Sequence, residues 1–148
     1  MQKTFKYGVL VAIIIAAWVA LKHLVLHIDP ARAAIFDTIV FNAAGILGLF
    51  LGISAEKARN GGALSFGAGV KTGFFVALNY AVLTAIYFAV LLLIIGPKLM
   101  QQAGEAGPGG EVTALIVAQA FAGVLIGLTL TGTILSLIIS LILRKRPA

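Results

Sequence analysis

Four long apolar stretches, each closed by charge, glycine or proline, constrain this chain more than any other feature. A helix needs about 20 predominantly apolar residues to cross roughly 30 Å of hydrocarbon. Runs of that kind fall at about residues 7–26, 35–53, 70–95 and 112–143. Asp29-Pro30 stops the first, the second ends where Glu56, Lys57 and Arg59 begin, and Gly96-Pro97 closes the third. At 1.5 Å per residue the fourth would reach about 48 Å, so it must tilt, kink near Thr131-Gly132-Thr133, or extend an end beyond the hydrocarbon.

Composition points the same way. Of the 148 residues, 61% are hydrophobic and only 11% charged, whereas a surface facing water carries about 25–35% charged residues. The expected fold is therefore all-α: a polytopic membrane protein, a four-transmembrane-helix bundle forming a single membrane domain over residues 1–148. Soluble enzyme classes fall away. So does nucleic-acid binding, although the net charge of +6 would otherwise invite it. With no cysteine in the chain, disulfides, thiolate metal sites and cysteine nucleophiles are excluded.

Lysine and arginine are retained on the cytoplasmic side of a membrane, and their distribution sets the expected orientation. With the N-terminus inside, Lys3, Lys6, Lys57, Arg59, Lys71, Arg144, Lys145 and Arg146 lie on that side, and only Lys22, Arg32 and Lys98 lie outside. Both termini are thus expected in the cytoplasm, with a cytoplasmic loop at 54–69 and a Gly-rich extracytoplasmic loop at 96–111. Four of the five acids fall outside, so the inner face carries +7 and attracts anionic lipid by roughly 1 kcal/mol per well-placed base. Lys3 and Lys6 before an apolar run also suit a signal peptide. The run is longer than a usual signal core and no small-x-small site precedes Lys22, so the first span is expected to be retained.

Between helices in lipid, close backbone approach by small residues replaces the hydrophobic effect. Every span carries such residues in steps of four: Gly8, Ala12, Ala16 and Ala20; Ala44, Gly48 and Gly52; Ser65, Gly69, Gly73, Ala77, Ala81, Ala85 and Ala89; and Ala114, Ala118 and Ala122 beside Gly123, Gly127 and Thr131. Gly, Ala, Ser and Thr make up 53 of the 148 residues, so short ridges carry little weight, but the seven-member run marks the third helix as the centre of packing. The simpler expectation is that all four ridges pack internally; the alternative assigns one to a homo-oligomer.

Polar groups inside the membrane are costly and are functional hypotheses by default. If the small-residue ridges of the first two spans face inward, His23 and His27, four apart on one face, converge with Asp37, and with Asn42 and Gln119 nearby, on an outward-opening polar pocket. That pocket could serve a proton or cation, or a divalent metal, though the histidine pair lacks a fixed third ligand. The preferred reading is structural: Lys22 and the histidines snorkel to the headgroups, and Asp37 offsets Lys22. Deeper down, Asn79 and the stripe Thr129, Thr133, Ser136 and Ser140 form a candidate intramembrane polar path, with helix packing the default explanation. No cofactor or bound metal is expected.

The loop between spans two and three is the most distinctive segment. Asn60-Gly61-Gly62 supplies positive-φ positions that end a helix, Ser65 suits the N-cap of the next, and the second helix should therefore continue past the membrane before turning. No P-loop or dinucleotide spacing is present. A basic stretch, Asn-Gly-Gly, then Ser65-Phe66-Gly67 and Lys71-Thr72-Gly73 resembles the bacterial integral-membrane family called domain of unknown function 4199, as do Lys6-Tyr7-Gly8 and Gly52. The resemblance spans most of residues 1–100 and implies a small four-helix protein of a bacterial inner membrane. It brings no catalytic residues with it.

No nucleophile, base and orienting group come together in the sequence, so an enzyme is not expected. The favoured function is a non-catalytic bundle or an accessory subunit of a larger membrane complex. The alternative is an oligomeric transporter or channel for a small solute, cation or proton, entered through the polar pocket.

Overall fold

The structure, a computed structural model, describes residues 2–22, 26, 30–103 and 114–144. They form four helices: α1 Gln2–Leu21, α2 Pro30–Arg59, α3 Phe66–Ala103 and α4 Ala114–Leu143. Each contains a stretch long and apolar enough to cross a membrane, of 18, 25, 29 and 30 residues in turn. Large apolar side chains face outward: on α4, Ile126, Leu130, Ile134, Ile138 and Ile142 are all exposed. A continuous apolar stripe of this kind is a liability in water and the ordinary surface of a helix in lipid. The fold is the all-α four-helix membrane bundle that the apolar runs require.

The helix ends follow local chemistry with one exception. Proline suits the first helical position, where its missing N–H would be unpaired anyway, and α2 begins at Pro30. It runs on to Arg59 and stops where the Gly62 N–H donates to the Lys57 carbonyl at 3.0 Å. Gly61 and Gly62 take φ of 62° and 85°, conformations that glycine alone adopts without strain. The Ser65 hydroxyl then accepts the Ala68 N–H at 3.2 Å and caps α3. The exception is Gly96-Pro97, expected to close α3; the helix continues through both to Ala103. A proline inside a helix removes one N–H and crowds the carbonyl four residues earlier, and membrane helices tolerate this where local adjustment re-satisfies the freed groups.

Contacts between helices fix their directions. Tyr7 lies beside Gly52, Val11 beside Gly48, and Lys22 beside Asp37, so α1 and α2 are antiparallel. Gly52 meets Val76 and Gly45 meets Tyr80, which makes α2 and α3 antiparallel. Gly69 faces Ser140, Gly73 faces Ser136, and Ala77 faces Gly132, giving α3 and α4 the same relation. The bundle runs up, down, up, down. α3 packs on all three other helices, most extensively on α4, while α1 and α4 sit on opposite sides of the α2–α3 pair.

The long ridge of α3 is the centre of packing, as its length implied. Gly69, Gly73, Ala77, Ala81 and Ala85 are all buried. Ser65 caps the helix instead and Ala89 is half-buried. On α2 the ridge Ala44, Gly48 and Gly52 is buried too; a Cβ at Gly48 would run into Val11, and one at Gly52 would come within 2.8 Å of Val76.

Two expected ridges do not pack as read. On α1 the buried positions are Gly8, Val11, Ile15 and Val19, followed by Lys22 directly after it, with Ala12, Ala16 and Ala20 only half-buried. Because α2 already supplies the small residues at that contact, α1 inserts branched side chains into the space they leave. On α4 the ridge Ala114, Ala118, Ala122, Gly123, Gly127 and Thr131 is exposed throughout. The helix instead buries Gly132, Ser136, Ile139 and Ser140, a face turned by about 160° from that of residues 123, 127 and 131.

Candidate functional site

Asp37 organises the most polar cluster described within the membrane-spanning region. Its Oδ1 accepts the Trp18 indole N–H at 2.7 Å, and its Oδ2 accepts the Lys22 ammonium at 2.6 Å. Lys22 directly follows α1, four residues after Trp18, and both side chains reach the same carboxylate. Lys22 is 9% exposed, while the Asp37 side chain keeps 25%. The pairing anticipated between Lys22 and Asp37 is therefore present as a nearly buried ion pair, with an indole added. The Trp18 ring also packs on Phe36, centroids 6.5 Å apart. In a low-dielectric setting such a pair holds two helices in one register, since separating it would leave a charge in hydrocarbon.

Beside this pair opens a cavity of about 290 Å³ between α2, α3 and α4, with Asp37, Thr38 and Asn42 along one wall and Tyr80 in its lining. Tyr80 is 3% exposed. It fits there because Gly132 has no side chain: a Cβ at Gly132 would stand 2.5 Å from the tyrosine oxygen, whereas one at Gly45 would make ordinary contact at 3.5 Å. The Tyr80 hydroxyl donates to the Leu128 carbonyl at 3.3 Å, tying α3 to α4. Asn42 donates back to the Thr38 carbonyl of its own helix at 2.7 Å. The cavity wall thus has hydrogen-bonding groups, and its one carboxylate is already engaged at both oxygens.

The remaining expected site residues are placed separately. His23 and His27 lie outside the described residues. Asp37 and Asn42 line the same cavity, whereas Gln119 is exposed on α4 and takes no part in that lining. Asn79 lies on the α1 side of α3, where a Cβ at Gly8 would come within 2.6 Å of its Cβ. Ser136 and Ser140 lie on the α4 side, against Gly73 and Gly69. Thr133 donates to the Thr129 carbonyl at 2.6 Å and Ser136 to the Thr133 carbonyl at 2.7 Å, the back-bonding that serine and threonine make within a helix. Asn79 and the hydroxyl stripe therefore face different neighbours. Among the described residues, no three His, Cys, Asp or Glu side chains come together in a way that could hold a metal ion.

Trp18 and Tyr80 were not singled out from sequence. The signal for Trp18 is its position one turn before Lys22, which aims indole and ammonium at the same point. For Tyr80 it is a phenol inside an apolar span, next to the small-residue ridge at Ala81, because such a hydroxyl must find an acceptor.

Fold and site together define a polytopic membrane protein whose intramembrane polar groups tie its helices to one another. The family described as "Protein of unknown function (DUF4199)" matches residues 6–145, and the chain belongs to it. The match extends beyond the first 100 residues, where the resemblance lay, and takes in α4. No curated protein and no solved structure matches the chain.

Proposed function

We propose that this protein is a non-catalytic subunit of a membrane assembly, docked through the outward face of α4. One observation carries the reading: a Cβ placed on Gly123 or Gly127 meets no atom within 4 Å, in the middle of an exposed ridge of small residues. Where small residues at such spacing are buried, on α2, α3 and the inner face of α4, a helix is packed against them. The same pattern left open suits one more helix, from a second copy or from a different membrane protein.

The distribution of basic residues supports both termini in the cytoplasm, and the family resemblance supports a bacterial inner membrane. Translocation, the second reading, would need polar groups along one continuous route. The division of Asn79 from Ser136 and Ser140 between different sides of α3, against different helices, favours the structural role.

The test is Gly123→Leu combined with Gly127→Leu, purified in mild detergent. The thermal unfolding midpoint should correspond to a stability change within about 0.5 kcal/mol of the parent, as for a surface change, while the copurifying partner or the second copy is lost. An unchanged assembly size and partner set would overturn the docking role.

A further inference from the structure

We propose that the groove between the N-terminal end of α1 and the C-terminal end of α2 is a binding site for an anionic phospholipid, distinct from the cavity beside Asp37. The groove encloses about 460 Å³, within the roughly 300–1,000 Å³ of small-molecule sites. Its walls are apolar where they enter the spans, formed by Tyr7 on one side and by Gly52, Ala55 and Ala58 on the other. It exists because α2 presents only small residues opposite the Tyr7 ring, which stands 3.5 Å from where a Cβ at Gly52 would be.

Its rim is cationic. Lys6 and Arg59 both line it, at the terminal turns of the two apolar spans, the level at which a spanning helix leaves the hydrocarbon for the headgroups. The Lys6 ammonium lies 4.9 Å from the Tyr7 ring centroid, and among the described residues no carboxylate pairs with it. Glu56 is the one acid in the lining. Its two oxygens accept Arg59 at 2.8 Å and Asn60 at 3.2 Å, so its charge is matched within α2. Arg59 uses one nitrogen for that contact and keeps the rest of its fork, on a side chain that is 48% exposed. Lys6 therefore leaves the rim with a net positive charge.

An apolar channel under a cationic rim matches a ligand with a phosphate head and a hydrocarbon tail. A soluble anion would make no use of the walls, and the ammonium of a zwitterionic lipid would be held beside two like charges. Each base near an anionic lipid strengthens binding about fivefold, so removing both should weaken it roughly 30-fold.

The experiment is native mass spectrometry of the full chain in mild detergent with phosphatidylglycerol, phosphatidylcholine or soluble glycerol phosphate added. The parent should retain phosphatidylglycerol in preference to phosphatidylcholine and should not retain glycerol phosphate. Lys6→Gln with Arg59→Gln should lose the preference, and Ala55→Leu, which fills the groove while keeping both charges, should lose retention. Lys71→Gln with Arg144→Gln removes the same charge elsewhere and should behave as the parent. Equal loss in that pair would reduce the effect to diffuse charge and overturn the site. So would retention in the filled groove, or competition by glycerol phosphate as strong as by lipid.

Discussion

Gly73→Leu should unfold the bundle or separate α4 from it, at a cost of roughly 3 kcal/mol or more, the upper end of what overpacking a core does. Even a single Cβ at that position would run into the Ser136 side chain and come within 3.2 Å of Ile53. The Ile53 contact is a side-chain tip that can give way, but the Ser136 Cβ is fixed to its backbone, so a leucine would have to push α3 away from α4. Ala81→Leu, on the same fully buried ridge, should behave alike. Gly67→Leu is the control, because a Cβ there meets nothing within 4 Å. Thermal unfolding in detergent should show the Gly73 and Ala81 variants strongly destabilised and the Gly67 variant close to the parent. If all three were equally tolerated, small-residue packing would not be what holds α3 in place.

The second large effect concerns the ion pair. Asp37→Ala should destabilise the protein by about 3–5 kcal/mol, because Lys22 would keep its charge inside the bundle without a counter-ion. The loss comes chiefly from the stranded ammonium and the unpaired Trp18 N–H, and less from the attraction itself. Replacing both partners, Lys22→Met with Asp37→Leu, should consequently recover most of the stability. The double-mutant cycle measures the coupling directly. A double variant as unstable as Asp37→Ala would show that the pair does something other than clamp α1 to α2.

The spans were legible because crossing hydrocarbon imposes a length and an apolarity that few sequences meet by accident. The turn after α2 was legible for a different reason: positive φ and an N-cap each demand particular residue types, and Gly61, Gly62 and Ser65 supply them. Gly96-Pro97 misled because proline is a strong breaker on average, whereas its cost in a given helix depends on how the freed backbone groups are re-satisfied locally, which the sequence does not display. The ridge on α3 was legible from its length alone. The outward ridge of α4 was not assignable, since a stripe of small residues packed against a helix and one left open have the same sequence chemistry. What distinguishes them is the partner, Gly69 and Gly73 against Ser140 and Ser136 in the first case.

The same ambiguity touched the candidate site. Ser136 and Ser140 could be read as a polar path or as small packing residues, and only their position opposite two glycines favours packing. The Lys22–Asp37 pair was expected from charge alone. Its third member, Trp18, required knowing that residues 18 and 22 reach the same carboxylate.

The register of α3 on α4 is the centre of this account, and one cross-linking experiment tests it most directly. The chain has no cysteine, so Gly69→Cys with Ser140→Cys introduces the sole pair. A Cβ at Gly69 stands 2.9 Å from the Ser140 Cβ, and a small adjustment brings it to the roughly 3.5–4.5 Å of a disulfide. Mild oxidation in native membranes should give a near-complete intramolecular link, whereas Gly69→Cys with the lipid-facing Ile138→Cys should give none. Absence of the first link, or equal yield from both pairs, would contradict the antiparallel small-residue register on which the bundle is built.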